Sequence, residues 1–169
     1  LADVNRLSLQ DLAPLTTRPL AELRALAPGF FVQISPSQAP TGPMRTVDAW
    51  TPSNTLELVT WILPMVRRPS SELAFVSIGR LDGNDVVISD VTVSKFHAFV
   101  RDVDGKQLLQ DAGSHNGTFV NNIRIAARKA GDPVVLRSGD AVRFGSVQTN
   151  YLDAAGMLAF LQRMAQEIR

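Results

Sequence analysis

The feature that most constrains this chain is a succession of short apolar runs broken by turn dipeptides, between Leu56 and Leu152. Apolar runs occupy residues 56–66, 73–78, 86–88, 96–100 and 107–110, then 119–120, 134–136, 141–144 and 147–152. Between them stand Asp82-Gly83-Asn84, Asp104-Gly105, Asn116-Gly117, Gly131-Asp132-Pro133 and Ser138-Gly139-Asp140. Asp-Gly and Asn-Gly tolerate the positive φ angles that tight hairpins need, so they are the strongest short-range hairpin signals. Runs this short suit strands rather than helices. Many short strands at this spacing predict an all-β sandwich or barrel of short antiparallel strands.

Two segments flank that pattern. In residues 1–53, Leu20, Leu23, Leu26 and Ala27 recur at helical spacing, with Pro19 suited to a first turn and Pro28-Gly29 as a stop. Leu7, Leu9 and Leu12 are compatible with a second short helix, and residues 30–34 read as a strand. Residues 35–43 hold Pro36, Pro40, Gly42 and Pro43 and predict a loop or linker. Residues 153–169 predict a terminal amphipathic helix. Met157, Leu158, Leu161, Met164, Ala165 and Ile168 share one stripe, the polar side chains face the other way, and Asp153 stands at the N-cap. The expected organisation is an N-terminal extension over 1–53, a sandwich over 54–152 and a helix over 153–169.

Composition narrows the function classes. The 169 residues contain 45% hydrophobic and 20% charged residues, a globular balance. No cysteine is present, which excludes disulfides, thiol catalysis and cysteine-ligated metal. With two histidines besides, no zinc spacing exists. The net charge of +1, the single Tyr and the two Trp supply neither a basic stripe nor an aromatic platform for nucleic acid. The longest apolar run, residues 59–66, is interrupted by Thr60 and Pro64 and is far shorter than the ~20 residues of a membrane span. No basic segment followed by an apolar core marks a secretion signal. These readings predict a cytoplasmic chain with no cofactor, metal, membrane or nucleic-acid partner.

Functional residues concentrate at three places. Gly79-Arg80 ends the run over 73–78; Ser94-Lys95-Phe96-His97 follows, and then Ser114-His115-Asn116-Gly117 leads into Phe119-Val120-Asn121. In this order and spacing the chain resembles the forkhead-associated (FHA) domain, whose hallmarks are a Gly-Arg, a Ser-x-x-His and an Asn-Gly ahead of a Val-Asn. The resemblance spans roughly residues 56–152 and implies an FHA-type β-sandwich that binds phosphothreonine peptides in signalling. The chemistry agrees. A phosphothreonine carries about −1.5 to −2 charges and three strong acceptor oxygens. Arg80 offers a permanently charged donor fork, Ser94 a hydroxyl, and Asn116 an amide that can both donate to and accept from a peptide backbone.

By resemblance, Arg80 and Ser94 contact the phosphate, Lys95 and His115 add to it, and Asn116 holds the ligand backbone. Gly79, His97, Gly117 and Asn121 are structural. The expected partner is a Thr-phosphorylated protein or peptide. Each residue also has a plainer reading. Arg80 and Lys95 could be solvated charges, Ser94 a strand start, His97 a half-buried structural residue opposite Phe96, Ala98 and Val100, and Asn116-Gly117 a hairpin turn. His115 departs from the family, which more often has Thr or Ser there. Two rivals stand beside this reading. One is a phosphate-independent interaction scaffold on the same fold. The other is a hydrolase using Ser94 or Ser114 with a histidine, against which the chain lacks a Gly-x-Ser-x-Gly elbow. A non-enzymatic module is expected.

Overall fold

The computed structural model describes residues 7–8, 20–36 and 58–167. The chain runs β1 (Leu7–Ser8), α1 (Leu20–Leu26), β2 (Phe30–Pro36), β3 (Leu58–Pro64), β4 (Val76–Gly79), β5 (Val86–Val87) and β6 (Ala98–Val103). It continues with β7 (Lys106–Asp111), β8 (Thr118–Val120), β9 (Ile123–Arg124), β10 (Val134–Val135), β11 (Ala141–Phe144), β12 (Val147–Leu152) and α2 (Ala154–Glu167). The strands form a seven-stranded sheet, ordered β1-β3-β2-β12-β11-β8-β9, and a five-stranded sheet, ordered β10-β7-β6-β4-β5. The β-sandwich expected from the sequence is the observed architecture. Its strand pairs are antiparallel except β4 with β5, which are parallel.

Two apolar clusters hold the layers. The first lies between the sheets and includes Phe31, Leu63, Ile78, Val100, Leu109, Val142, Phe144 and Tyr151. Phe31 packs edge-on to Phe144, with ring centroids 5.3 Å apart, a favourable quadrupole arrangement. The second lies on the outer face of the larger sheet, where Phe30, Val32 and Ile62 meet Leu23 of α1 and Met157 and Leu161 of α2. β2 is therefore buried on both faces, which explains the unbroken Phe30-Phe31-Val32 run. The terminal stripe packs on sheet and helix together. Asp153 caps α2 through Gly156 N–H at 2.7 Å, as its position predicts. Ile168 lies outside the described residues.

Several expectations are corrected. Leu7 lies in a strand, pairing with Ile62, and not in a helix; Leu9 and Leu12 lie outside the described residues. β2 continues through Pro36, tolerated because the pairing with β12 ends at Val32, so the loop does not begin at residue 35. Asp104-Gly105 makes the expected hairpin, with φ of 53° and 77°. Asn116-Gly117 does not, because β7 and β8 belong to different sheets and this segment crosses between them. Asp82-Gly83-Asn84 likewise joins parallel neighbours. A hairpin without a predicted turn joins β8 to β9 through Asn121 and Asn122, at φ of 50° and 67°. Two Asn residues in the left-handed region are a recognisable signal for it.

Candidate functional site

The crossing segments meet at one end of the sandwich. Gly79 ends β4 where the chain passes so close to the β5–β6 loop that a Cβ would lie 2.3 Å from the Lys95 carbonyl oxygen. Only glycine fits such an approach. Asn84, buried behind it, donates from Nδ2 to the carbonyls of Leu81 and Lys95 at 2.8 and 2.7 Å. Arg80 N–H donates to Ser94 O at 3.0 Å and Arg80 Nε to Val93 O at 3.1 Å. The guanidinium is thus anchored on one edge, and its terminal nitrogens make no hydrogen bond or ion pair among the described residues.

His97 is fully buried, not half-buried, and Phe96 is not on the core face with Ala98 and Val100. β6 starts only at Ala98, so strand alternation does not extend back to Phe96, which is exposed and stacks toward Phe75 and Phe99. Nδ1 of His97 accepts from Ser94 N–H at 3.0 Å. The ring proton therefore sits on Nε2, which donates to the Gly117 carbonyl at 3.1 Å. One neutral ring bridges the two loops that carry Ser94 and Asn116. Burial holds its pKa below the usual 6.5, against the opposing pull of the Gly117 carbonyl and the Asp111 charge.

Asp111 performs the same service from the other side. Its carboxylate accepts from Gly113 N–H, Ser114 N–H, Ser114 Oγ–H and Thr118 Oγ–H at 2.6–2.9 Å. Burial alone would raise its pKa, but these donors outweigh it and hold the carboxyl below the usual range. Ser114 Oγ in turn accepts from Gly117 N–H at 3.0 Å. Gly117 has φ of 84°, a left-handed turn that side chains resist. The loop over 112–117 is thereby folded around a buried charge. Asp111 stands three residues before Ser114 in the sequence, where a buried scaffold acid reads the same as a surface one.

The result is an open groove of about 420 Å³, lined by Arg80, Ser94, Lys95, His115 and Asn116 together with Val91, Thr92, Val93 and Phe96. All five residues singled out for ligand contact line this one depression. Among the described residues no acidic side chain lines it. Ser94 Oγ accepts from His115 N–H at 3.0 Å and keeps its own proton for donation. Asn116 Nδ2 donates to Thr92 O at 2.8 Å, which closes the far wall. Thr92, absent from the sequence reading, is pinned by Asp90 and by Ser146 of the β11–β12 turn. Those Thr92 hydrogen bonds also lower the Asp90 pKa. Asn121 lies away from the groove and ties the β8–β9 turn to Asp140 and Ala141 N–H.

Neither serine hydroxyl is paired with a histidine ring: Ser114 Oγ serves Asp111, Ser94 Oγ accepts from His115 N–H, and both nitrogens of His97 are occupied by backbone groups. Among the described residues no group of three His, Asp or Glu side chains is placed to hold a metal. No helix among them is long and apolar enough to cross a membrane.

The end loops of the sandwich thus converge on one open groove whose described lining carries Arg80, Lys95 and neutral donors but no carboxylate. The FHA domain family model matches residues 76–145. The oxoglutarate dehydrogenase inhibitor of Corynebacterium glutamicum is 30% identical over 113 residues, which cover 63% of this chain and 75% of that protein. The glycogen accumulation regulator GarA of Mycolicibacterium smegmatis is 40% identical over 76 residues, 45% of this chain and 44% of the regulator. The ABC transporter ATP-binding/permease protein Rv1747 of Mycobacterium tuberculosis is 31% identical over 179 residues, 95% of this chain but 20% of the transporter. This chain belongs to the FHA-domain family. It spans about a fifth of the transporter protein and under half of GarA.

Proposed function

We propose that this chain is a phosphothreonine-peptide binding module that mediates phosphorylation-dependent protein–protein interaction in signalling, and that it does no chemistry on its ligand. The observation that carries the reading is the groove itself, where Arg80, Ser94, Lys95, His115 and Asn116 meet with no carboxylate among them. In this reading Arg80 and Ser94 take the phosphate oxygens. The guanidinium supplies a charged fork and the hydroxyl a neutral donor. Lys95 and His115, both exposed at the rim, add positive or donor character. Asn116 uses the amide oxygen left free by its bond to Thr92 to hold the peptide backbone. Gly79, His97, Gly117 and Asn121 keep the loops in place, with Asp111 as a further positioning residue. The commitment of both His97 nitrogens to backbone groups favours binding over hydrolysis by a serine–His97 pair. A chain without cysteine that reads a kinase mark fits the cytoplasm.

The test is calorimetry with matched peptides that differ only in phosphorylation of one threonine. Binding of the phosphorylated peptide alone is expected. Equal affinity for both forms would overturn the reading in favour of a phosphate-independent scaffold.

A further inference from the structure

Beyond the groove, on the outer face of the larger sheet, one row of side chains crosses three strands in register. Arg124 of β9 is paired with Phe119 of β8, and Phe119 with Arg143 of β11. The Arg143 guanidinium lies 3.6 Å over the Phe119 ring and donates to the Gly145 carbonyl. The Arg124 guanidinium stands 6.0 Å from the same ring. The two cations therefore bracket one aromatic ring. Neither forms an ion pair among the described residues, and Arg124 is exposed. Stacking leaves the guanidinium edges, with their N–H donors, available to an outside acceptor.

The row joins the groove directly. Arg124 Nε would lie 2.8 Å from a Cβ placed on Gly117, the residue after Asn116. Arg143 holds Gly145, which packs against Thr92 so closely that a Cβ would lie 2.5 Å from the Thr92 carbonyl oxygen. That same carbonyl accepts from Asn116. A peptide leaving the groove over Asn116 thus meets the arginine pair next. Cations in a fixed arrangement with no counter-charge among the described residues are arranged for an anion from elsewhere.

We propose that Arg124, Phe119 and Arg143 form a second anion subsite that selects peptides with an acidic group flanking the phosphothreonine, either a carboxylate side chain or a second phosphate. The proposal rests on the phosphothreonine reading of the groove. Arg143 is pre-set by its stack and its carbonyl contact, so little side-chain freedom is lost when the anion arrives.

The experiment uses the full chain and phosphothreonine peptides with neutral flanks, with glutamates before or after the phosphothreonine, or with a second phosphate there. Each is titrated against the parent, Arg124→Gln and Arg124→Gln/Arg143→Gln at low and high salt. The parent should bind one acidic-flank peptide about three- to tenfold more tightly than the neutral one, as for one or two exposed charge pairs. That preference should shrink with salt and disappear in the double variant, while discrimination between phosphorylated and unphosphorylated threonine persists. The glutamate and second-phosphate arms decide which anion the subsite takes. Should the double variant melt early, Arg124→Gln decides alone, and it should lose about half of the preference in logarithmic terms. Phospho-dependence without any flank preference, or a preference unchanged in the variants, overturns this proposal and spares the groove. Loss of phospho-dependence in the parent overturns the groove reading itself. Arginine-dependent binding to anionic vesicles, with no peptide preference, would make the row a membrane-facing surface and also sink the proposal.

Discussion

The two ends of this molecule are held together by different forces. At the groove, loops are positioned by directional hydrogen bonds onto two buried polar groups, His97 and Asp111. On the outer face of the larger sheet, α1, α2 and β2 are joined by apolar burial through Leu23, Phe30, Met157 and Leu161. Apolar contact is non-directional and tolerates small shifts, whereas a phosphate site needs donors fixed in direction. A recognition end built on polar anchors can be precise and still open to water. The helix-covered part of that face, over β2 and β3, is apolar and supplies stability. Substitutions on the two regions should therefore separate stability from binding.

The largest effect should come from the helix-covered face. Leu161 is 1% exposed, and Leu161→Asp both removes its burial and places a carboxylate among Phe30, Val32 and Ile62. A loss of more than ~4 kcal/mol is expected in chemical denaturation. A variant as stable as the parent would mean that α2 is not part of the fold's core.

Arg80→Ala should do the opposite. Phosphopeptide affinity should fall by ~2–5 kcal/mol, as for removing one partner of a desolvated charge pair. Stability should stay within ~0.5 kcal/mol. Calorimetry and melting on the same sample read both.

Asp111→Ala and His97→Ala should blur the contrast, because each anchor serves fold and groove at once. Asp111→Ala leaves the donors of Gly113, Ser114 and Thr118 without their shared acceptor and should cost ~2–3 kcal/mol of stability. His97→Ala should cost ~1–3 kcal/mol. Phosphopeptide binding should weaken in both through loop disorder. A His97 variant that melts like the parent but no longer binds would instead make the ring a ligand contact.

A pH titration sharpens the point. The folded-state pKa of His97 lies below the ordinary 6.5, so the unfolded chain takes up that proton first. Stability is full above about pH 6.5 and is lost as pH falls below it, by at most ~1.4 kcal/mol per pH unit. Asp111 and Asp90, both lowered from 3.8, hold stability above that value and lose it as pH falls through their folded pKa values. Denaturation at pH 7 and pH 5 should show a slope that His97→Gln flattens.

The smallest effect concerns the ligand. The FHA resemblance implies a small pocket for the threonine γ-methyl, whose burial is worth ~0.8 kcal/mol. A phosphothreonine peptide should therefore bind about fourfold more tightly than its phosphoserine twin. Equal affinities would place the methyl in solvent.

Local physics was legible in the residue order. Short apolar runs with Asp-Gly and Asn-Gly breaks specified an all-β chain, and Asp104-Gly105 specified its hairpin, because turn preferences act within a few residues. The helical spacing at Leu20–Leu26 and the apolar stripe that follows the Asp153 N-cap specified both helices for the same reason. The groove residues could be selected from motif order alone. What only the tertiary structure decided was which segments meet. Asn116-Gly117 carries a hairpin signal yet crosses between sheets, since sheet membership depends on strands far apart in sequence. β2 reads as one more strand, but its two buried faces required α1 and α2 on one side and the second sheet on the other. Asp111 is one acid among sixteen acidic residues until four donors gather around it. The Arg124–Phe119–Arg143 row likewise exists only through cross-strand register, a relation between three strands that no single stretch of sequence encodes.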